Sequence, residues 1–116
     1  MHVQVIGFIP PHVGLEGEFN TVRLGGKMAK VLTPGQEVFL MDEKEKAVFG
    51  RAAVISVEMG KLEELCEVHA HKNHTELAND PAGAPQRLMT FIQKIFGPHI
   101  APPHKRTCVV YLRRIE

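Results

Sequence analysis

The stretch "EVHAHKNHTEL", Glu67 to Leu77, places His69, His71 and His74 close together in the chain. Imidazoles at such spacing can ligate a transition metal or pass protons. Geometry decides between these uses. Residues Lys61 to Asn73 have helical spacing, and each residue of a helix advances about 100°. Leu62, Leu65, Cys66, His69 and Asn73 then gather on one side, and His71 lies roughly opposite. His69 and His71 therefore cannot hold one ion. His71 and His74 could share a face, and they are the remaining metal candidates, but a pair is fewer than a closed zinc site needs. No metal and no cofactor is expected. His69 and Asn73 continue the apolar stripe as polar groups. A stripe that turns polar at its end either walls a cleft or is satisfied by buried backbone groups.

Other residues offer weaker chemistry. "RLGGKMAK" sets Arg23, Lys27 and Lys30 around two glycines, a pattern able to meet an anion. It is not a phosphate-binding P-loop, because the earlier glycine and the following Ser or Thr are missing. The tail interleaves Lys105, Arg106, Arg113 and Arg114 with Tyr111, as a nucleic-acid surface does. Strand alternation lets only one of Arg113 and Arg114 join any single patch. Thr21 and Ser56 are nucleophiles only with a base beside them. Cys66 and Cys108 read as two reduced thiols of a cytoplasmic protein. The N-terminus lacks the basic region of a signal peptide, and no apolar run is long enough to cross a membrane. The formal net charge is +1, so a polyanionic partner would need a local basic patch.

The elements that must position these residues follow from pattern. Residues 1–116 read as one domain, with 44% hydrophobic and 23% charged residues, enough for a core without disulfides. Strands are expected at His2 to Ile9, Asn20 to Leu24, Gln36 to Asp42, Ala47 to Glu58 and Arg106 to Ile115. "KMAKVL" gives one or two helical turns, Lys61 to Asn73 a helix, and Gln86 to Phe96 the clearest helix. In that last one Leu88, Phe91, Ile92, Ile95 and Phe96 form the stripe of a single buried face. Ala47 to Glu58 is apolar on both faces, as a barrel or central strand is. The fold class is α+β: a small mixed β-barrel with two helices inserted before the last strand.

This layout resembles the ASCH domain family, a branch of the PUA-like superfamily of small barrels. The resemblance rests on "EGEFNTVRLGG", "LTPGQEVFLMD", "FGRAAVISVEMGKLEELCEVHAHKNHTEL" and "IQKIFGPH", and covers most of the chain from about residue 15. Within the family it is similar to the small bacterial amidohydrolases of N4-acetylcytidine. The family signature is Gly-x-Lys-x-x-Glu-x-Arg, with Thr replacing Glu in the amidohydrolases. Laid on this chain, the Arg is Arg23 and the Thr is Thr21. The Lys position holds Glu18, and the Gly position holds Glu16, with Gly17 one place away. The family's helix-borne catalytic Glu aligns with Asn73. Of the three catalytic groups that the resemblance implies, only Thr21 remains. An amide such as Asn73 cannot exchange a proton.

Three readings follow. The first is an ASCH/PUA-like module binding RNA or a nucleotide-like ligand in a cleft between barrel and helix. Its ligand contacts would be Thr21, Arg23, Lys27, His69, Asn73 and Tyr111. The second is a hydrolase of a small nucleoside-like amide, with Thr21, Glu18 and His69 as a rearranged set. The third is a histidine-based metal-binding or structural protein. No membrane partner is expected.

Overall fold

The computed structural model describes residues 4–116; Met1, His2 and Val3, the start of the first expected strand, lie outside the described residues. β-Branched segments form β1 (Gln4–Phe8), β2 (Glu18–Leu24), β3 (Glu37–Asp42), β4 (Ala47–Lys61) and β5 (Arg106–Arg114). Lys27–Val31 makes the short α1 after the Gly25-Gly26 turn. α2 (Leu62–His69) and α3 (Ala84–Phe96) sit between β4 and β5, as the sequence predicts. Among the described residues no helix is long and apolar enough to cross a membrane.

The strands make one five-stranded sheet in the order β1-β3-β4-β5-β2. β1 runs parallel to β3, and the other pairs are antiparallel. The expected barrel does not close. Among the described residues no ladder joins β1 to β2, so the two form the edges of an open sheet. The seam between them is occupied by other groups. Asn73 bridges Asn20 on the free edge of β2, and Arg23 Nη2 donates across the gap to the Gly7 carbonyl at 2.6 Å.

Side-chain alternation sorts the sheet into two faces. The inner face carries Phe19, Val54, Cys108, Val110 and Leu112, packed with Ile6, Phe8, Val38 and Leu40. The outer face meets α2 and α3 through Val22 and Leu24, against Leu62, Cys66, Leu88 and Ile92. β4 serves both faces by means of a bulge between Val54 and Ser56. The bulge shifts the alternation by one residue. Val57 and Met59 therefore join Val54 on the inner side, while Ser56 and Glu58 turn outward. Ile55 is left at the surface, so the apolar run does not signify a strand buried on both faces.

Two helical expectations change. α2 ends at His69, Ala70–Lys72 tighten into a 3₁₀ turn, and Asn73 is extended with φ −67° and ψ 142°. Asn73 is thus buried by leaving the helix rather than by continuing it. In α3 only Leu88 and Ile92 of the predicted stripe are buried. Phe91, Ile95 and Phe96 remain 45%, 41% and 48% exposed. Pro85 in the first turn and Gly97 at the end bound this helix as expected.

Asn73 ties the segment after α2 to β2. Its Nδ2 donates to Asn20 Oδ1, and its Oδ1 accepts from the Thr75 N–H and Oγ1. Asn20 Nδ2 donates in turn to the His69 carbonyl. Both asparagines are almost fully buried, so removing one partner strands polar groups away from water. Asn73→Ala is expected to lower unfolding stability by about 2 kcal/mol, read from urea denaturation. A midpoint equal to that of the parent would show that this network does not hold the segment.

Candidate functional site

The open seam is where the inner face reaches the surface. A cleft of about 450 Å³ runs along the free edge of β2. Its volume lies in the range of small-molecule sites. One wall is Phe8 to Pro11 with Val13; the other is the unburied side of α3, Phe91, Ile95 and Phe96. The α3 stripe thus has two parts, one packed on the sheet and one overhanging the cleft. Thr21, Arg23, His74 and Thr75 supply its polar side chains.

The edge of β2 adds unused backbone groups. Gly25 N–H donates to the Arg106 carbonyl and Arg114 N–H to the Gly17 carbonyl. In an antiparallel ladder such pairs alternate, so residues 19, 21 and 23 also face β5. The N–H and C=O groups of Asn20, Val22 and Leu24 therefore turn toward the free edge. The Asn20 carbonyl accepts from His74 N–H at 3.1 Å. Val22 and Leu24 line the cleft.

Arg23 is the cation of this site. Its Nε donates to Thr21 Oγ1 at 3.0 Å, and its Cζ lies 5.0 Å from the centre of the Phe8 ring. Burial pulls the guanidinium down to about 10, against the raising influence of Glu43 and Cys108. It stays charged at neutral pH. Among the described residues it forms no ion pair. Glu43 offsets its charge only from beyond ion-pair distance, and a desolvated cation with no direct carboxylate partner is costly to the fold and attractive to an anion.

His74 faces the same space. Nδ1 meets the Val13 carbonyl at 3.2 Å, and the ring stands edge-on to Phe8 with centroids 5.2 Å apart. A carbonyl only accepts, so Nδ1 carries the proton in this bond and Nε2 is left as an acceptor. Burial lowers the imidazole to about 4; the Val13 bond opposes the shift and the charge of Arg23 reinforces it. The ring is neutral at pH 7. Opposite it, Gly14 has φ +68°, and a β-carbon there would collide with the His74 carbonyl.

The six residues expected to bind ligand do not converge. Thr21 and Arg23 stand on the inner face of the sheet and in the cleft. Tyr111 pairs with Asn20 in the ladder, one step out of phase with Thr21, and so stands on the outer face. His69 joins it there: Nδ1 lies 2.7 Å from the Tyr111 hydroxyl and Nε2 2.7 Å from Glu58 Oε2. Asn73 is engaged with Asn20, and Lys27 is exposed on α1. The sheet itself separates the two groups. The rearranged catalytic set fails for the same reason. Glu18 is three residues from Thr21, on the other side of β2, and is exposed opposite Arg113. The Thr21 hydroxyl meets a guanidinium donor, which cannot act as a base.

The remaining candidates are also placed. His71 is exposed on the 3₁₀ turn, while His74 is turned to Val13, and among the described residues no group of three ligating side chains forms. Burial pushes the Cys66 thiol up to about 11 and raises Cys108 as well, so neither is a ready nucleophile. Sequence reasoning missed Phe8, the Pro10-Pro11 segment, His74 as a cleft residue, and the overhang of Phe91, Ile95 and Phe96. The exposed overhang carries no local signal, because periodicity marks a face but not what covers it.

The depressed His74 value makes a pH prediction. The neutral ring favours the folded state, while the unfolded state takes up a proton near pH 6.5. This contribution is complete above pH 6.5 and is lost as pH falls toward 4. Stability should drop by about 2 kcal/mol over that window, less than the full linkage value because the ring is partly open to solvent. Urea midpoints from pH 7 to 4 measure it, and His74→Gln should flatten the curve. An unchanged slope in that variant would assign the acid sensitivity elsewhere.

No family model and no curated protein matches the sequence. Solved structures do match in fold. The chain aligns with the hypothetical protein PH0355 at TM-score 0.64 and 11% identity, covering 98% of this chain and 100% of that one. It aligns with protein EF3133 from Enterococcus faecalis V583, of the DUF984 family, at TM-score 0.58 and 13% identity over 88% of this chain. The ASCH domain from Lactobacillus crispatus JV V101 matches at TM-score 0.51 and 10% identity over 87%. The chain spans 62% of the Enterococcus protein and 65% of the Lactobacillus one. These likenesses identify the architecture: an open five-stranded sheet with helices packed on its outer face is here an ASCH-like fold.

Proposed function

We propose that the protein is a cytoplasmic ASCH/PUA-like module that binds RNA or a nucleotide-like ligand in the cleft between sheet and α3. The observation that carries this reading is Arg23, a desolvated guanidinium without an ion-pair partner at the β2 edge of an apolar cleft. Its remaining N–H donors meet a phosphate or another anionic oxygen. The flat walls formed by Phe8, Pro10 and Phe96 take the apolar faces of a base. Thr21, the acceptor nitrogen of His74 and the free backbone groups of Val22 and Leu24 read its polar edge. The ASCH-like fold supports the same class at the level of the family. Two buried, unpaired thiols, Cys66 and Cys108, fit a reducing compartment.

Calorimetric titration with the common ribonucleoside monophosphates tests the assignment. Arg23→Gln, which keeps a hydrogen-bonding side chain but removes the charge, should weaken binding at least about tenfold, the scale of one charge-assisted hydrogen bond. Phe96→Ala should weaken nucleosides and nucleotides alike. Affinity indifferent to both substitutions would remove the ligand from this cleft.

A further inference from the structure

The formal net charge of +1 conceals a separation of charge along the sheet. At one end of β4 and β5 most cations are neutralised, with Arg113, which faces Glu18 across the ladder, outside the ion pairs. Arg51 pairs with Glu37 and Glu116, each at 2.6 Å, and Arg114 with Glu16 at 3.3 Å. Lys46 pairs with Glu43 in the β3–β4 turn. At the other end Lys61 and Arg106 are direct partners in the β4–β5 ladder, with Lys105 beside them. Lys27 stands just beyond the Gly25-Gly26 turn. None of these four forms an ion pair among the described residues. Lys27, Lys61 and Arg106 are exposed.

This basic end adjoins the cleft. Leu24, which lines the cleft, pairs with Thr107, and the next residue, Gly25, donates to the Arg106 carbonyl at 2.8 Å. A β-carbon on Gly26 would lie 3.6 Å from the Arg106 guanidinium, so that side chain rests against the turn before Lys27. Lys61, Arg106 and His104 line a shallow groove of about 310 Å³ with Met59 and Gly60. Among the described residues Glu64 is the one carboxylate lining it.

We infer that the ligand of the cleft is one nucleotide of a single-stranded RNA, and that its neighbouring phosphates run from the cleft across Lys27, Arg106 and Lys61. The inference rests on the cleft reading above and extends it from a free nucleotide to a strand. Unpaired cations at one end, next to a site built for one anion and one apolar face, match a chain that repeats phosphate beside each base. An isolated nucleotide has no use for the groove beyond Gly26. The formal charge balance of the whole chain is no obstacle, because phosphate contacts depend on the local field.

Fluorescence anisotropy with a labelled, mixed-sequence RNA of about ten nucleotides, run beside calorimetry with ribonucleoside monophosphates, tests this. The oligomer should bind more tightly than any monophosphate, and its affinity should fall steeply with salt. The logarithmic salt slope should shrink by about 0.7 for each cation removed in Lys61→Gln and Arg106→Gln. Monophosphate affinity should not change in those two variants, which also reports that they fold. Oligomer affinity and slope unchanged in the double variant would overturn the track while leaving the cleft reading intact. An oligomer that binds no better than a monophosphate, or not at all at low salt, overturns it too. A DNA strand of the same sequence bound more tightly than the RNA would overturn the choice of RNA. Loss of monophosphate sensitivity to Arg23→Gln is the separate outcome that defeats the cleft reading.

Discussion

The hydrogen bond from Arg23 to the Gly7 carbonyl stands where the sheet fails to close. A fifth ladder, between β1 and β2, would satisfy both edges with backbone groups. Here a side chain spans the seam, and a bond to a charged donor is worth about 1.5–3 kcal/mol in such a place. The gain is offset by desolvation of the guanidinium, which Phe8 and Thr21 only partly relieve. Closing the seam with a side chain leaves room beside it, and that room is the cleft. The strap and the site are therefore one feature. A lysine could not replace the arginine, because it lacks the planar fork that addresses Thr21 and Gly7 at once and still leaves N–H donors over.

Most of the element order was legible in the sequence. Short β-branched runs, Pro-Gly punctuation and the capped stripe of α3 are local signals, and local physics placed them. What the sequence hid depends on contacts between distant residues. His69 closes α2 and Asn73 lies beyond it in extended backbone, and the side chains of both are on the face of the sheet opposite Thr21, because ladder parity is set by pairing and not by spacing. The bulge in β4 is also silent: "AVISVE" reads as a strand buried on both faces, when one extra residue has moved its pattern from one face to the other. His74 looked like a spare metal ligand. Its neutral, edge-on place against Phe8 comes from a loop contact with Val13, far away in the chain.

The family comparison gains a physical reading from this geometry. Glu18 stands where the resemblance expects a lysine, yet its neighbour across the ladder is Arg113 and its surroundings are solvent. Asn73 stands where a catalytic carboxylate is expected, and every polar atom of its amide is engaged in joining the post-helix segment to β2. Of the groups that the resemblance implies, Thr21 and Arg23 stand together on the inner face of the sheet, and the other two positions are placed away from them.

The Asn20–Asn73 bridge has a consequence for solubility. An unpaired strand edge is a template for pairing with another molecule. On β2 that edge is covered in two ways. Asn73 and His74 occupy it at Asn20, and the aromatic overhang of α3 screens it beyond Val22. The β1 edge is obstructed at Gly7 by the strap from Arg23. These groups leave less of the open edge accessible to a strand of another molecule than a bare edge would offer. The same residues that form the wall of the cleft also act as a guard against edge-to-edge self-association.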